Sequence, residues 1–281
     1  MLPTLMLPTL FLSHGSPLHA LDPGAAGEAW ARLARTLPRP RALLIASAHW
    51  ETNLPMVTSA SAPETIHDFF GFPEALYRLR YPAPGAPEVA ERARVLLSES
   101  GFTAASNGCR GLDHGAWAPL LYMYPDADIP VVQLSVQTAL GASHHLALGR
   151  ALAPLAREGV LVIGSGHMTH NLRERRPGAA KPLAYVREFQ QWVDAAIRGH
   201  DLDALADYRA RAPHAVRAHP TEEHFLPLFV ALGAAGEGYR AERVYEGIES
   251  GVLAMDAYCV RVTARSGAGA FPASSSAPPE D

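Results

Sequence analysis

Thr9-Leu10-Phe11-Leu12-Ser13-His14-Gly15-Ser16-Pro17 is an apolar run of strand length that stops at a histidine and then at Gly-Ser-Pro. The run is too short to favour a helix, and it reads as a buried strand with His14 at its carboxyl end. The pattern recurs at Ala42-Leu43-Leu44-Ile45-Ala46-Ser47-Ala48-His49-Trp50. It appears again where Val160-Leu161-Val162-Ile163-Gly164-Ser165-Gly166 runs into His167 and His170. In open α/β sheets, ligands collect beyond the carboxyl ends of the strands. Three strands tipped with histidine predict a site built from imidazoles.

Between these strands the chain has helical spacing. Residues 25–37 carry Trp30, Leu33 and Leu37; residues 87–100 open on a proline and close at Gly101. Helices are also expected over 143–158 and over 183–198, the latter amphipathic and stopped by Gly199. Thr221 reads as the N-cap of a helix reaching about residue 232, with His224 in its first turn. Strands alternating with helices predict an α/β fold: a single domain, residues 9–265, with a central mostly parallel or mixed sheet flanked by helices. Residues 1–8, where MLPTL is repeated, are expected to form a loose N-terminus. The Ser-, Ala-, Gly- and Pro-rich residues 266–281 are expected to be a disordered tail. Residues 62–87 form a long stretch dense in aromatics, expected to be a wall of the active site.

Composition narrows the function. A formal net charge of -4 gives no basic footprint, which argues against nucleic acid as a partner. No apolar run approaches bilayer length, so no membrane span is expected. Two distant cysteines, Cys109 and Cys259, make no disulfide framework, and no basic n-region marks a signal peptide. A cytoplasmic setting is expected; no pattern specifies an oligomeric state.

The sequence contains thirteen histidines. His14, His49 and His170 each follow a buried strand, and His224 at a helix start can face the same rim. Several imidazoles around an open position suit Zn, Fe, Cu or Ni. His19, His144, His145, His200, His214 and His219 read as structural or surface histidines; His67, in the aromatic stretch, is set apart from them. A nucleotide loop at 164–172 lacks both the dinucleotide glycine spacing and the P-loop ending. A serine hydrolase using Ser16 or Ser165 lacks the G-x-S-x-G elbow.

Six blocks, in order, resemble a known family: Ser13 to Pro17, Ser47 to Trp50, Asp68 to Pro73, Leu112 to Trp117, Gly164 to Leu172, and Glu223 to Leu228. They look like the class III extradiol ring-cleavage dioxygenases, in the DOPA-dioxygenase-like branch. The resemblance implies cleavage of a catechol ring beside its hydroxyl pair by O2 at a non-haem metal. It implies Fe(II) for activity, with Zn(II) able to occupy the same histidines. By position His14, His49 and His224 become the metal ligands, with Glu222 and Glu223 the alternatives to His224. His170 matches the family's acid/base histidine and a possible fourth ligand. His114, flanked by Asp113, becomes a catalytic, ligand-supporting or substrate-orienting residue. Ser16, His67, Phe69 and Phe72 are expected to touch substrate. The competing readings are a zinc-dependent hydrolase or amidase on the same metal scaffold, and a non-catalytic binding protein on the same fold.

Overall fold

The computed structural model describes residues 6–179 and 181–262. Its strands are β1 (Thr9–Ser13), β2 (Ala42–Glu51), β3 (Met56–Thr58), β4 (Ala105–Asn107), β5 (Val131–Val136) and β6 (Val160–Gly166). β7 (Tyr239–Tyr245), a small hairpin of β8 (Ile248–Glu249) and β9 (Leu253–Ala254), and β10 (Ala257–Val262) follow. Eight strands form one sheet in the order β4-β3-β5-β2-β6-β1-β10-β7. Its centre, β5-β2-β6-β1, is parallel, and the joins β3–β5, β1–β10 and β10–β7 are antiparallel. The sheet is mixed, and the fold is the single α/β domain expected from the alternation of elements.

The three histidine-tipped strands are neighbours: β6 lies between β2 and β1, and all three run the same way. Their near-continuous apolar character follows from burial on both faces. Leu10, Leu12, Leu161 and Ile163 pack on one face with Trp30 and Trp117, from the helices Gly24–Thr36 and His114–Met123. Phe11, Val160 and Val162, one residue out of phase, point to the other face. The helices Pro87–Glu99, Gly141–Leu152 and Leu226–Ala235 contribute to the packing there.

Several boundaries differ from expectation, each for a physical reason. The helix expected over 143–158 is two, Gly141–Leu152 and Pro154–Arg157, because Pro154 has no N–H to continue the ladder. The helix expected from Thr221 begins at Leu226; the Thr221 hydroxyl bonds Glu223 at 3.0 Å and caps nothing, leaving His224 in the preceding turn. Leu7 is buried and its N–H donates to Ala156 O at 3.1 Å, so the loose terminus expected through residue 8 does not extend to it. Residues 1–5 and the expected tail, 266–281, lie outside the described residues.

Gly164 and Gly166 would permit a tight turn after the apolar run, but both belong to β6. A Cβ on Gly164 would lie 2.0 Å from Pro227 O, and one on Gly166 would lie 2.1 Å from His224 O. The missing side chains let the His224 turn lie directly on the strand.

Candidate metal centre

β1 delivers His14, whose N–H donates to Gly166 O at 3.0 Å and so continues the β1–β6 ladder by one residue. His49 lies near the end of β2, where the pairing with β5 is irregular between Ala46 and Glu51. The His224 carbonyl accepts the His167 N–H at 2.7 Å, which pins the turn against the end of β6. One ring nitrogen each from His14, His49 and His224 lies within 4.8 Å of those of the other two.

The protonation of these rings follows from their partners. Pro119, inside the helix His114–Met123, lacks the N–H that would bond the Gly115 carbonyl. The Ser165 hydroxyl supplies that hydrogen bond instead. Its only proton spent, Ser165 Oγ is an acceptor for His14 Nδ1–H at 3.1 Å. Asp68 Oδ2 lies 3.3 Å from His49 Nδ1, and Glu223 Oε1 lies 2.8 Å from His224 Nδ1. Carboxylates only accept, and so does the spent Ser165 hydroxyl; the tautomer matched to these partners has its proton on Nδ1 and leaves Nε2 as a lone pair. His14 Nε2 and His49 Nε2 then face each other at 3.0 Å with no hydrogen between them. Two facing lone pairs repel unless a cation lies between them; this donor set fits a divalent metal. An acceptor behind each ring is the usual support for a metal-bound imidazole.

Electrostatics agree. Burial, then the neighbouring imidazoles, holds His14 and His224 well below the ordinary imidazole range, and burial brings His49 to about 4. All three are neutral at pH 7 and compete with no proton for a metal. Burial works to raise the Asp68 carboxyl, but hydrogen bonds from His114 overcome it and bring it to about 2.

Two further histidines flank this trio. His114 starts its helix with its N–H on Asp68 Oδ1 and its Nδ1–H on Asp68 Oδ2, both at 2.9 Å. Its ring lies 4.0 Å from that of His49. His170 stacks on His224 with ring centroids 3.5 Å apart and a 15° interplanar angle. No ring nitrogen of His170 makes a hydrogen bond among the described residues, and burial lowers its pKa to about 3. His170 forms a group with Glu223 and His224, not with His14 and His49.

These side chains open on a cavity of about 220 Å³. Phe69 and Phe72 line it as expected from the aromatic stretch, and so does Ser16, whose hydroxyl faces the Leu18 N–H at 3.4 Å. His67, also expected to touch substrate, is not among the residues that line the cavity. Its ring bonds Leu79 O at 3.1 Å and packs against Phe69, Tyr77 and Trp117, behind the wall rather than on it. Glu222 turns away to accept the Tyr208 hydroxyl at 2.7 Å. Sequence reasoning gave no role to Asp68, His167, Leu172, Arg175 or Leu253, all of which line the cavity. The one signal available was Asp68 itself, a lone carboxylate inside an aromatic run.

Residues 8–254 match the family described as the catalytic LigB subunit of aromatic ring-opening dioxygenase. The chain is 44% identical over 255 residues to the 4,5-DOPA dioxygenase extradiol of Beta vulgaris, covering 89% of this chain and 95% of that protein. It is 41% identical to the Escherichia coli K12 protein of the same name, over 89% of this chain and 93% of the relative. A crystal structure of uncharacterized protein JW3007 from Escherichia coli K12 superposes with a TM-score of 0.78 at 35% identity, covering 90% of this chain and 99% of that one. The chain belongs to the LigB family of class III extradiol, aromatic ring-opening dioxygenases, and it is a metal-dependent oxidoreductase of that class.

Proposed function

We propose that the enzyme opens the ring of a single-ring catechol, DOPA-like or simpler, with O2, at Fe(II) held by His14, His49 and His224. The observation that carries this reading is the pair of lone-pair nitrogens, His14 Nε2 and His49 Nε2, 3.0 Å apart within reach of His224. When bound, Fe(II) supplies a redox-active Lewis acid at which a catechol and O2 can be held side by side. Zn(II) suits three neutral imidazoles equally well and would occupy the same ligands without supporting the reaction. Asp68, ionised behind His49, supplies negative charge that the all-histidine set lacks.

His170 is the proton carrier. Neutral at pH 7, with ring nitrogens that no protein group engages among the described residues, it offers a lone pair to a catechol hydroxyl that a bound metal would acidify. His114, with its Nδ1–H committed to Asp68, presents Nε2 as an acceptor that orients a catechol hydroxyl. Phe69 and Phe72 hold the ring and exclude water. At about 220 Å³ the cavity is smaller than the roughly 300–1,000 Å³ of sites for drug-sized ligands, which favours one ring with a short side chain.

The test is anaerobic reconstitution with Fe(II), addition of 4-methylcatechol or DOPA, and admission of air. A yellow ring-opened semialdehyde with one O2 consumed per catechol is expected. Absence of oxygen uptake with every catechol refutes the reading.

A further inference from the structure

We propose that Arg175 selects the substrate by pairing its guanidinium with a carboxylate on the side chain of the catechol; this rests on the ring-opening reading above. The cavity has a buried end, where His14 and His224 lie, and an exposed one, where Leu172 and Arg175 lie. A ring bound by its oxygens at the buried end directs its substituent toward the exposed end.

The lining imidazoles lie at the metal end of the cavity, and two further polar groups are held within the protein. Asp68 accepts from His114 and faces His49, and His167 Nε2 accepts the Gly15 N–H at 3.0 Å. Among the described residues, Arg175 carries the only permanent positive charge on the lining. It forms no ion pair among the described residues, whereas nearby Arg217 is bound to Glu174 at 3.1 Å. A guanidinium is a planar fork of donors matched to a carboxylate.

The segment that carries Arg175 is fastened on both sides. The His170 N–H donates to Ala218 O at 2.8 Å and Asn171 Nδ2 donates to Arg217 O at 2.8 Å. On the far side, the Arg176 N–H donates to Ser250 O at 2.8 Å. The backbone of Arg175 is therefore fixed relative to His170, and a bound carboxylate meets a positioned partner.

The test compares 3-(3,4-dihydroxyphenyl)propionate with uncharged 4-methylcatechol on wild type, Arg175→Gln and Arg175→Lys. Dissociation constants are measured anaerobically on the Zn(II)-loaded protein, and KM and kcat aerobically on the Fe(II)-loaded protein. Arg175→Gln is expected to weaken binding and raise KM for the propionate about fivefold, as for a solvent-facing ion pair. The constants for 4-methylcatechol should change by a clearly smaller factor than those for the propionate, and Arg175→Lys should restore part of the loss. An equal effect on both catechols, or none on the propionate, overturns the assignment of Arg175. Charge-selective binding that depends on Arg175 supports the assignment even if no catechol is turned over; that failure would fall on the ring-opening reading alone.

Discussion

Replacing Asp68 with asparagine separates the role of the outer carboxylate from that of the ligands. In the native site both Asp68 oxygens receive N–H groups: Oδ1 from the His114 backbone, Oδ2 from His114 Nδ1, with His49 Nδ1 beside it at 3.3 Å. An amide offers one acceptor oxygen and one NH2 group. Whichever way it is turned, an NH2 faces an N–H donor, and the negative charge is gone. Losing an outer-sphere partner of a metal-bound histidine typically costs 10–100-fold in metal affinity. Asp68 touches two of the rings and its side chain is only 18% exposed, so little water can replace it. We expect Asp68→Asn to weaken Zn(II) binding ~30-fold, about 2 kcal/mol. The assay is titration of metal-free protein with Zn(II) against a chromophoric chelator, with circular dichroism confirming the fold. Affinity within twofold of wild type in a folded variant would refute the role given to Asp68 and weaken the protonation assignment for His49.

Other outcomes follow from the same geometry. His14→Ala and His49→Ala should abolish tight Zn(II) binding, whereas His170→Ala should keep the metal and lose turnover; loss of metal in His170→Ala would make that residue a ligand. Gly166→Ala places a methyl 2.1 Å from His224 O and should destabilise the protein by about 1–3 kcal/mol in urea unfolding. It should also weaken metal binding, and unchanged values for both would show that the turn yields freely. Burial brings His145 and His219 to about 4 in the folded protein, below the roughly 6.5 of an unfolded imidazole. Each therefore contributes stability that is complete above about pH 6.5 and is lost, at up to about 1.4 kcal/mol per pH unit, as pH falls toward 4. Urea unfolding of the metal-free protein should show this decline, and a flat stability from pH 7 to pH 5 would contradict it.

The legible part of this chain is its sheet centre. The β1, β2 and β6 runs are apolar because both faces are covered, and their terminal histidines are visible because polar residues there need a reason. His224 was harder. Local pattern placed it in a helix, and only the order of the six sequence blocks gave it a role; the turn that holds it depends on two glycines some sixty residues away. Arg175 is not legible, and Asp68 only as a lone carboxylate in an aromatic run, since their roles arise from loops meeting in space rather than from any periodicity. His67 looked like Phe69 and Phe72 in sequence, but the path of the loop turned its ring to a carbonyl behind the wall.

The placement of β10 has a consequence for assembly. β1 lies between β6 and β10, so residues 9–13 pair with 162–166 on one side and residues 9–12 with 257–260 on the other. His14 follows directly from β1, and its neighbour Ser13 donates N–H to Asp256 O at 3.2 Å. The first strand of the chain cannot be fully seated until nearly the last described residues arrive. Contacts of such sequence separation form late, because loop closure must precede them. The imidazoles of residues 14 and 49 are therefore held in place beside the third only in a chain whose closing strand has joined the sheet.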